Sequence, residues 1–186
     1  MDMIKKHILP TLVFLGIILS FPLGALAKSG GFDASDVKTS SAFSMDKAKR
    51  GATVQAAVII EIPDGYHVNS NKPLGKFAIP TQLRVSGPNG IRSGPVSYPR
   101  SALKTFSFSK EKLSVFEGRA VLRFTVNVPA GYKGDALDLH ARLRFQSCTN
   151  EVCFPPDSRD IEMHIQVVDP TEPAKSINPG TFGRRR

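Results

Sequence analysis

Several common signatures are missing from this chain of 186 residues. It has no tryptophan and only two cysteines, so it is not one of the small exported proteins held together by several disulfides. It has no G-x-S-x-G, no phosphate-binding glycine loop, no dinucleotide glycine pattern and no H-E-x-x-H. After residue 27 no segment has a helical hydrophobic period. The sequence therefore gives no support to a hydrolase, a nucleotide-binding enzyme or a helical domain.

Residues 1–27 have the composition of a secretory signal peptide. An apolar run over residues 8–20 is followed by Pro22 and by Ala25-Leu26-Ala27, which suits a signal peptidase. An uncleaved anchor is the alternative, because residues 8–27 are uncharged and have about the 20 residues that a membrane span needs. The prolines and the Ala-x-Ala site favour cleavage. We predict an exported, periplasmic protein without a membrane anchor after cleavage.

Positive charge exceeds negative charge, with 25 basic and 16 acidic residues and a formal net charge of +9. Such a charge is compatible with nucleic acid, an acidic partner or an anionic membrane surface. Export argues against nucleic acid, and most of the basic residues are scattered along the predicted strands. A solvated basic surface is the simplest interpretation.

Most of the chain alternates apolar and polar residues with period two. The clearest segments are VQAAVIIEI, RAVLRFTVNV, ALDLHARLRFQSC and RDIEMHIQV. Alternation of this kind, separated by Gly and Pro turns, predicts half-buried antiparallel strands. We expect an all-β, immunoglobulin-like antiparallel β-sandwich in a single domain, residues 46–168. Residues 28–45 and 169–186 lack the alternation and are predicted to be a disordered lead-in and a disordered basic tail.

Both cysteines lie in the segment FQSCTNEVCFPP, residues 145–156. In an exported protein such a pair tends to form a disulfide, and the short turn predicts a Cα separation of about 4.4–6.8 Å. Alternation places Cys148 on the outward face of its strand, at the rim of the sheet. Closing so short a loop stabilises a fold by only about 2 kcal/mol. A disulfide that works in exchange is therefore favoured over a structural staple.

Two other interpretations of the cysteines stay open. One is an immunoglobulin-like binding module in which the disulfide only stiffens a loop. The other is a copper or zinc carrier, for which His67, His140, Met163 and His164 are the further candidate ligands. A structural zinc site takes about four ligands, and oxidised cysteines cannot bind metal. We therefore predict neither a metal nor a cofactor.

Several segments resemble the N-terminal periplasmic domain of the DsbD family of disulfide-interchange reductases. They are GYHVNSNKP (65–73), IPTQLRV (79–85), KTFSFS (104–109), LSVFEG (113–118) and, most specifically, FQSCTNEVCFPP. The resemblance implies an immunoglobulin-like fold whose cysteine pair relays electrons, a protein-disulfide reductase type of chemistry. It further implies a thioredoxin-like or membrane-embedded donor, and periplasmic thiol-disulfide proteins as acceptors.

The resemblance also implies roles for single residues. Cys153 would enter mixed disulfides and Cys148 would resolve them. Phe108, or alternatively Phe106, would be the aromatic cap that shields the disulfide, and Tyr66 would be an aromatic residue near the site. The chain has neither the multi-span membrane domain nor the thioredoxin-like domain that follow in the family, so we expect a stand-alone domain whose electron donor is a separate protein.

Overall fold

A computed structural model describes residues 36–88 and 90–183, so the predicted signal peptide lies outside the described residues. These residues form twelve strands and one short helix: β1 Lys38–Phe43, β2 Lys47–Lys49, β3 Thr53–Glu61, β4 His67–Asn69, β5 Gln82–Ser86, β6 Arg92–Ser93, β7 Ala102–Lys104, β8 Leu113–Phe116, β9 Arg119–Asn127, β10 Ala136–Phe145, β11 Ser147–Cys148, β12 Asp157–Val168 and α1 Pro179–Phe182. Over this part of the chain no helix is long and apolar enough to cross a bilayer.

Two four-stranded sheets form the sandwich. One has the order β1-β3-β9-β6 and the other β2-β12-β10-β5. Neighbouring strands are antiparallel, except that β2 runs parallel to β12. The four segments with the clearest alternation became the long strands β3, β9, β10 and β12. The prediction of an all-β, immunoglobulin-like sandwich is confirmed.

The core lies between these two sheets and is built by the alternation itself. Every second residue of β10 is fully buried, from Leu137 to Phe145, and the residues between them are exposed. These side chains join one cluster with residues of β3 and β9, including Ile60 and Leu122. Burial of each large apolar side chain contributes about 1.5–3 kcal/mol relative to exposure. The sandwich therefore has a core that does not depend on the cysteines.

A third, smaller sheet has the order β11-β4-β8-β7, and the sequence did not predict it. Its strands are two to four residues long, too short for a visible alternation. Its own apolar cluster contains Phe106, Leu113 and Val115. This sheet carries both candidate site segments, the cysteine turn and the KTFSFS loop.

The lead-in predicted to be disordered contains a strand. β1 pairs with β3 from Lys38 opposite Glu61 to Phe43 opposite Ala56. The prediction for residues 28–45 is therefore wrong over residues 38–43. The sequence KTSSAF lacks a clear alternation, because this edge strand contributes backbone hydrogen bonds and little apolar surface.

The tail predicted to be disordered is also ordered as far as the structure describes it, to residue 183. Phe182 packs on the cluster of Ala57, Ile59 and Val121, on the outer face of the first sheet. Arg123 Nε donates a hydrogen bond of 2.8 Å to the Thr181 carbonyl oxygen. The prediction for residues 169–186 is wrong in this part, because that outer face is apolar and the tail covers it.

Candidate functional site

The two cysteines form the predicted disulfide. Their Cα atoms are 3.9 Å apart, closer than expected, because the turn sets the two residues opposite each other as an isolated antiparallel bridge. Thr149 holds the turn: its N–H donates to the Val152 carbonyl oxygen over 2.8 Å. Its hydroxyl oxygen accepts the N–H groups of Glu151 and Val152, both over 3.2 Å. Hydrogen bonds of the Thr149 backbone and hydroxyl therefore define the turn between the two cysteines.

The surroundings of the two sulfurs differ. Cys148 is only 1% exposed, whereas Cys153 is half-buried and lines an open groove. The prediction of an outward-facing Cys148 is wrong. β10 ends at Phe145, and the chain then pairs with β4 in the third sheet as β11. The change of partner interrupts the alternation and turns Cys148 inward.

Gln146 and Asn69 fix the point where the chain changes sheets. The Asn69 side-chain amide donates to Gln146 Oε1 over 2.9 Å, and Gln146 Nε2 donates to the Phe154 carbonyl oxygen over 3.0 Å. Ile79 N–H also donates to Gln146 Oε1, over 3.1 Å. Gln146 and Asn69 also line the groove beside Cys153. Sequence reasoning missed both, since Gln146 continues the polar face of β10 and resembles any solvated strand residue.

The predicted cap segment lies against the cysteine turn. Ser107 donates two hydrogen bonds to the Asn150 carbonyl oxygen, 2.8 Å from its hydroxyl and 3.4 Å from its N–H. Phe106 is 5% exposed and Phe108 is 39% exposed, with their rings stacked at a centroid distance of 5.3 Å. Phe108 lines the same groove as Cys153. Of the two candidates, Phe108 therefore has the position open to solvent and Phe106 lies beneath it.

Tyr66 is close to the site but lies below it. Its ring is buried and stacks on Phe154, the residue after Cys153, with centroids 6.2 Å apart. Its hydroxyl donates to Asp36 Oδ2 over 2.5 Å. Tyr66 thus packs beneath the segment that carries Cys153 and does not cover the disulfide from outside.

A groove of about 540 Å³ opens beside Cys153. Its walls are the loop around Phe77 and the loop around Phe108, and lysines 76 and 110 lie along it. Phe77 is 84% exposed, and Lys76 Nζ lies 5.5 Å from the centre of its ring. The sequence did not single out this loop, although an aromatic residue in the turn-rich segment PLGKFAIP is a usable signal. The groove can accept an apolar side chain next to the exposed edge of the disulfide.

The candidate metal ligands are spread over the molecule. His67 lies in the third sheet, Met163 is buried in the core, and His140 and His164 are on the outer face of β10 and β12. A hydrogen bond to Glu162 raises the pKa of His140, and the charges of Glu162 and Asp160 add to this. Among the described residues no group of three His, Cys, Asp or Glu side chains is arranged to hold a metal ion. The structure thus does not assemble the ligand set considered from the sequence.

The matches among solved structures include two N-terminal domains. One is the N-terminal periplasmic domain of ScsB from Proteus mirabilis, with a TM-score of 0.49 and 11% identity, over 72% of this chain and 49% of that chain. This chain therefore spans about half the length of that structure. Another is the reduced N-terminal domain of Neisseria meningitidis DsbD, with a TM-score of 0.42 and 19% identity, over 73% of this chain and 98% of that one. A search of curated proteins finds no match.

The family model for the N-terminal part of the thiol:disulfide interchange protein DsbD matches residues 34–165. The match extends from before β1 almost to the end of β12 and includes the groove, the KTFSFS loop and both cysteines. It confirms the family that the sequence motifs predicted. This chain belongs to the family of DsbD N-terminal domains.

Proposed function

We propose that this protein is a periplasmic thiol-disulfide carrier that relays electrons through Cys148 and Cys153. Membership of the family supports thiol-disulfide exchange in general. The observation that supports the relay role is the unequal exposure of the two cysteines. Cys153 faces an open groove, and Cys148 is buried behind it. An attacking thiolate therefore has access to one sulfur only.

The exchange follows from this geometry. A thiolate of a reduced donor attacks Cys153 Sγ, the S–S bond breaks, and Cys148 leaves as a thiolate that takes up a proton. The second thiol of the donor then attacks the donor's own sulfur in the mixed disulfide and releases Cys153. Two electrons and two protons have moved to this domain, and the donor is oxidised. The reverse sequence reduces the disulfide of an acceptor.

The groove gives the partner a place to bind. A thioredoxin-like protein, or the exposed part of a membrane-embedded donor, would set its reactive cysteine beside Cys153 and an apolar neighbour between Phe77 and Phe108. Lys76 and Lys110 flank this path, with Glu111 as the acidic residue along it. The balance of charge favours a partner with acidic residues near its cysteine. Periplasmic thiol-disulfide proteins would be the acceptors.

The reduction potential of the disulfide tests the proposal. Structural disulfides of exported proteins lie below about −300 mV, and exchange-active ones lie higher. We expect a value above that limit, from equilibration of the mature protein with a dithiothreitol series. A value well below it would favour the binding module with a structural disulfide.

The two single-cysteine variants provide a matched pair for the same test. Cys148→Ser keeps the reactive position and should form a stable mixed disulfide with an activated thiol reagent. Cys153→Ser keeps only the buried thiol and should react much more slowly. Equal reactivity would contradict the assignment of Cys153 as the entry point.

A further inference from the structure

One buried titratable side chain beside the disulfide has no part in the exchange as described so far. His67 is 7% exposed and is the residue opposite Cys148 in the antiparallel pairing of β4 with β11. Side chains of directly opposite residues lie on the same face of a sheet, with Cβ atoms about 4.5–5.5 Å apart. The imidazole and the buried sulfur are therefore cross-strand neighbours.

The surrounding groups hold this ring over the cysteine turn. Nε2 lies 3.0 Å from Asn150 Oδ1, within the turn, and the ring meets Phe106 edge-on at a centroid distance of 4.8 Å. Nδ1 lies 3.1 Å from Glu117 Oε1 and has no hydrogen-bond partner among the described residues, so it is the ring nitrogen left to accept a proton. Lys104 Nζ approaches the same Glu117 oxygen to 3.0 Å. The charged groups that face the ring are thus Glu117 and, through it, Lys104.

The chemistry of Cys148 requires such a neighbour. Exchange proceeds through the thiolate, and apolar burial disfavours the charged form of a thiol. Cys148 is almost completely buried, and the Glu117 carboxylate beside His67 disfavours a negative charge on the nearby sulfur. Water reaches Cys153 through the groove more readily than it reaches Cys148. A buried resolving thiol in these surroundings would be slow without a nearby proton acceptor.

We propose that His67 accepts the proton of the Cys148 thiol when Cys148 closes the disulfide. The proposal rests on the exchange function proposed above. The proton passes from Cys148 Sγ to the imidazole, and the thiolate attacks Cys153 Sγ in the mixed disulfide. The new S–S bond forms as the bond from Cys153 to the partner breaks, and the partner leaves with the electron pair. Cys148 and Cys153 are oxidised, the partner is reduced, and His67 later returns the proton to solvent.

A two-step reaction of the fully reduced protein with 5,5′-dithiobis(2-nitrobenzoate) isolates this step. Cys153 first forms a mixed disulfide with the reagent, and Cys148 then expels the second thiolate at a rate independent of reagent concentration. We expect the second rate of the native protein to change by less than about threefold between pH 7 and pH 8.5. In His67→Gln it should rise about tenfold per pH unit over this range, because the thiolate then forms only by ionisation of the thiol. At about pH 7 the variant should be slower by a factor of about ten or more.

The controls separate proton transfer from a structural role. His164→Gln replaces an exposed histidine on the outer face of β12 and should leave the second rate and its pH profile unchanged. A uniform slowing of His67→Gln at every pH would overturn the proposal, because loss of positioning alone does not change the profile. A native rate that rises tenfold per pH unit up to the range of a free thiol would overturn it too, whether or not the variant folds. Absence of any second step in the native protein would instead overturn the exchange function itself.

Discussion

The two sulfurs of one short disulfide have unequal access to solvent, and the reason is a single change of backbone partner. Ser147 and Cys148 pair with Val68 and His67, so Cys148 is covered by a strand. Cys153 follows the turn and lies at the groove. In the proposed exchange, the sulfur that can be attacked sets the order of events, so this difference would make Cys153 react first. A disulfide that acted only as a staple would not need it.

Phe108 is expected to slow the attack on Cys153. Its ring is supported by Phe106 from below and occupies the groove wall. Phe108→Ala should therefore raise the rate of reduction by dithiothreitol by about two- to tenfold, since access limits such reactions. Leu103→Ala removes another exposed apolar side chain, from β7 just before the KTFSFS loop, and is the matched control. An unchanged rate in Phe108→Ala would contradict the cap role.

At the scale of strands, the sequence predicts those parts of the molecule that bury one face. β3, β9, β10 and β12 alternate because each lies over the common core. The same rule fails after Phe145: extended from Gln146, period two puts Cys148 on the outer face, whereas the change of hydrogen-bond partner turns it inward. A pattern of side chains carries no information on which strand receives the backbone bonds. The disulfide was predictable because it depends on spacing alone. The burial of Cys148 was not, because it depends on which strand the segment pairs with.

In the tail segment the sequence predicted disorder where the structure shows packed residues, and this packing can be tested. Phe182 covers Ala57, Ile59 and Val121, so Phe182→Ala should lower the free energy of unfolding by about 1–2 kcal/mol, measured by urea denaturation. The matched control is Ile177→Ala, because that side chain is more exposed and lies outside the cluster, with an expected change within about 0.5 kcal/mol. Equal effects of the two substitutions would mean that the tail is not docked through Phe182.

In the molecule as a whole, the core and the disulfide are separate. The large apolar cluster lies between the two four-stranded sheets, and the disulfide lies in the third sheet, outside that cluster. A carrier must exist folded in both redox states, and this arrangement permits it. The stability of the domain then comes mainly from the burial of apolar side chains, and the S–S bond adds a small contribution to the free energy of unfolding.

The free energy that the disulfide contributes to folding links the stability of the domain to its redox chemistry. Closing the loop between Cys148 and Cys153, five positions apart, should stabilise the folded protein by about 2 kcal/mol. Reduction should lower the free energy of unfolding by that amount and leave the fold intact, as measured by urea denaturation of the oxidised and reduced forms. By thermodynamic linkage, folding stabilises the disulfide by the same free energy by which the disulfide stabilises the fold. The reduction potential of the disulfide in the folded protein should therefore lie about 40 mV below that in the unfolded chain. The variant with both cysteines changed to serine should be insensitive to reductant, which controls for effects of the reagent. Unfolding on reduction, or a loss above about 5 kcal/mol, would mean that the bond is needed to hold the fold together.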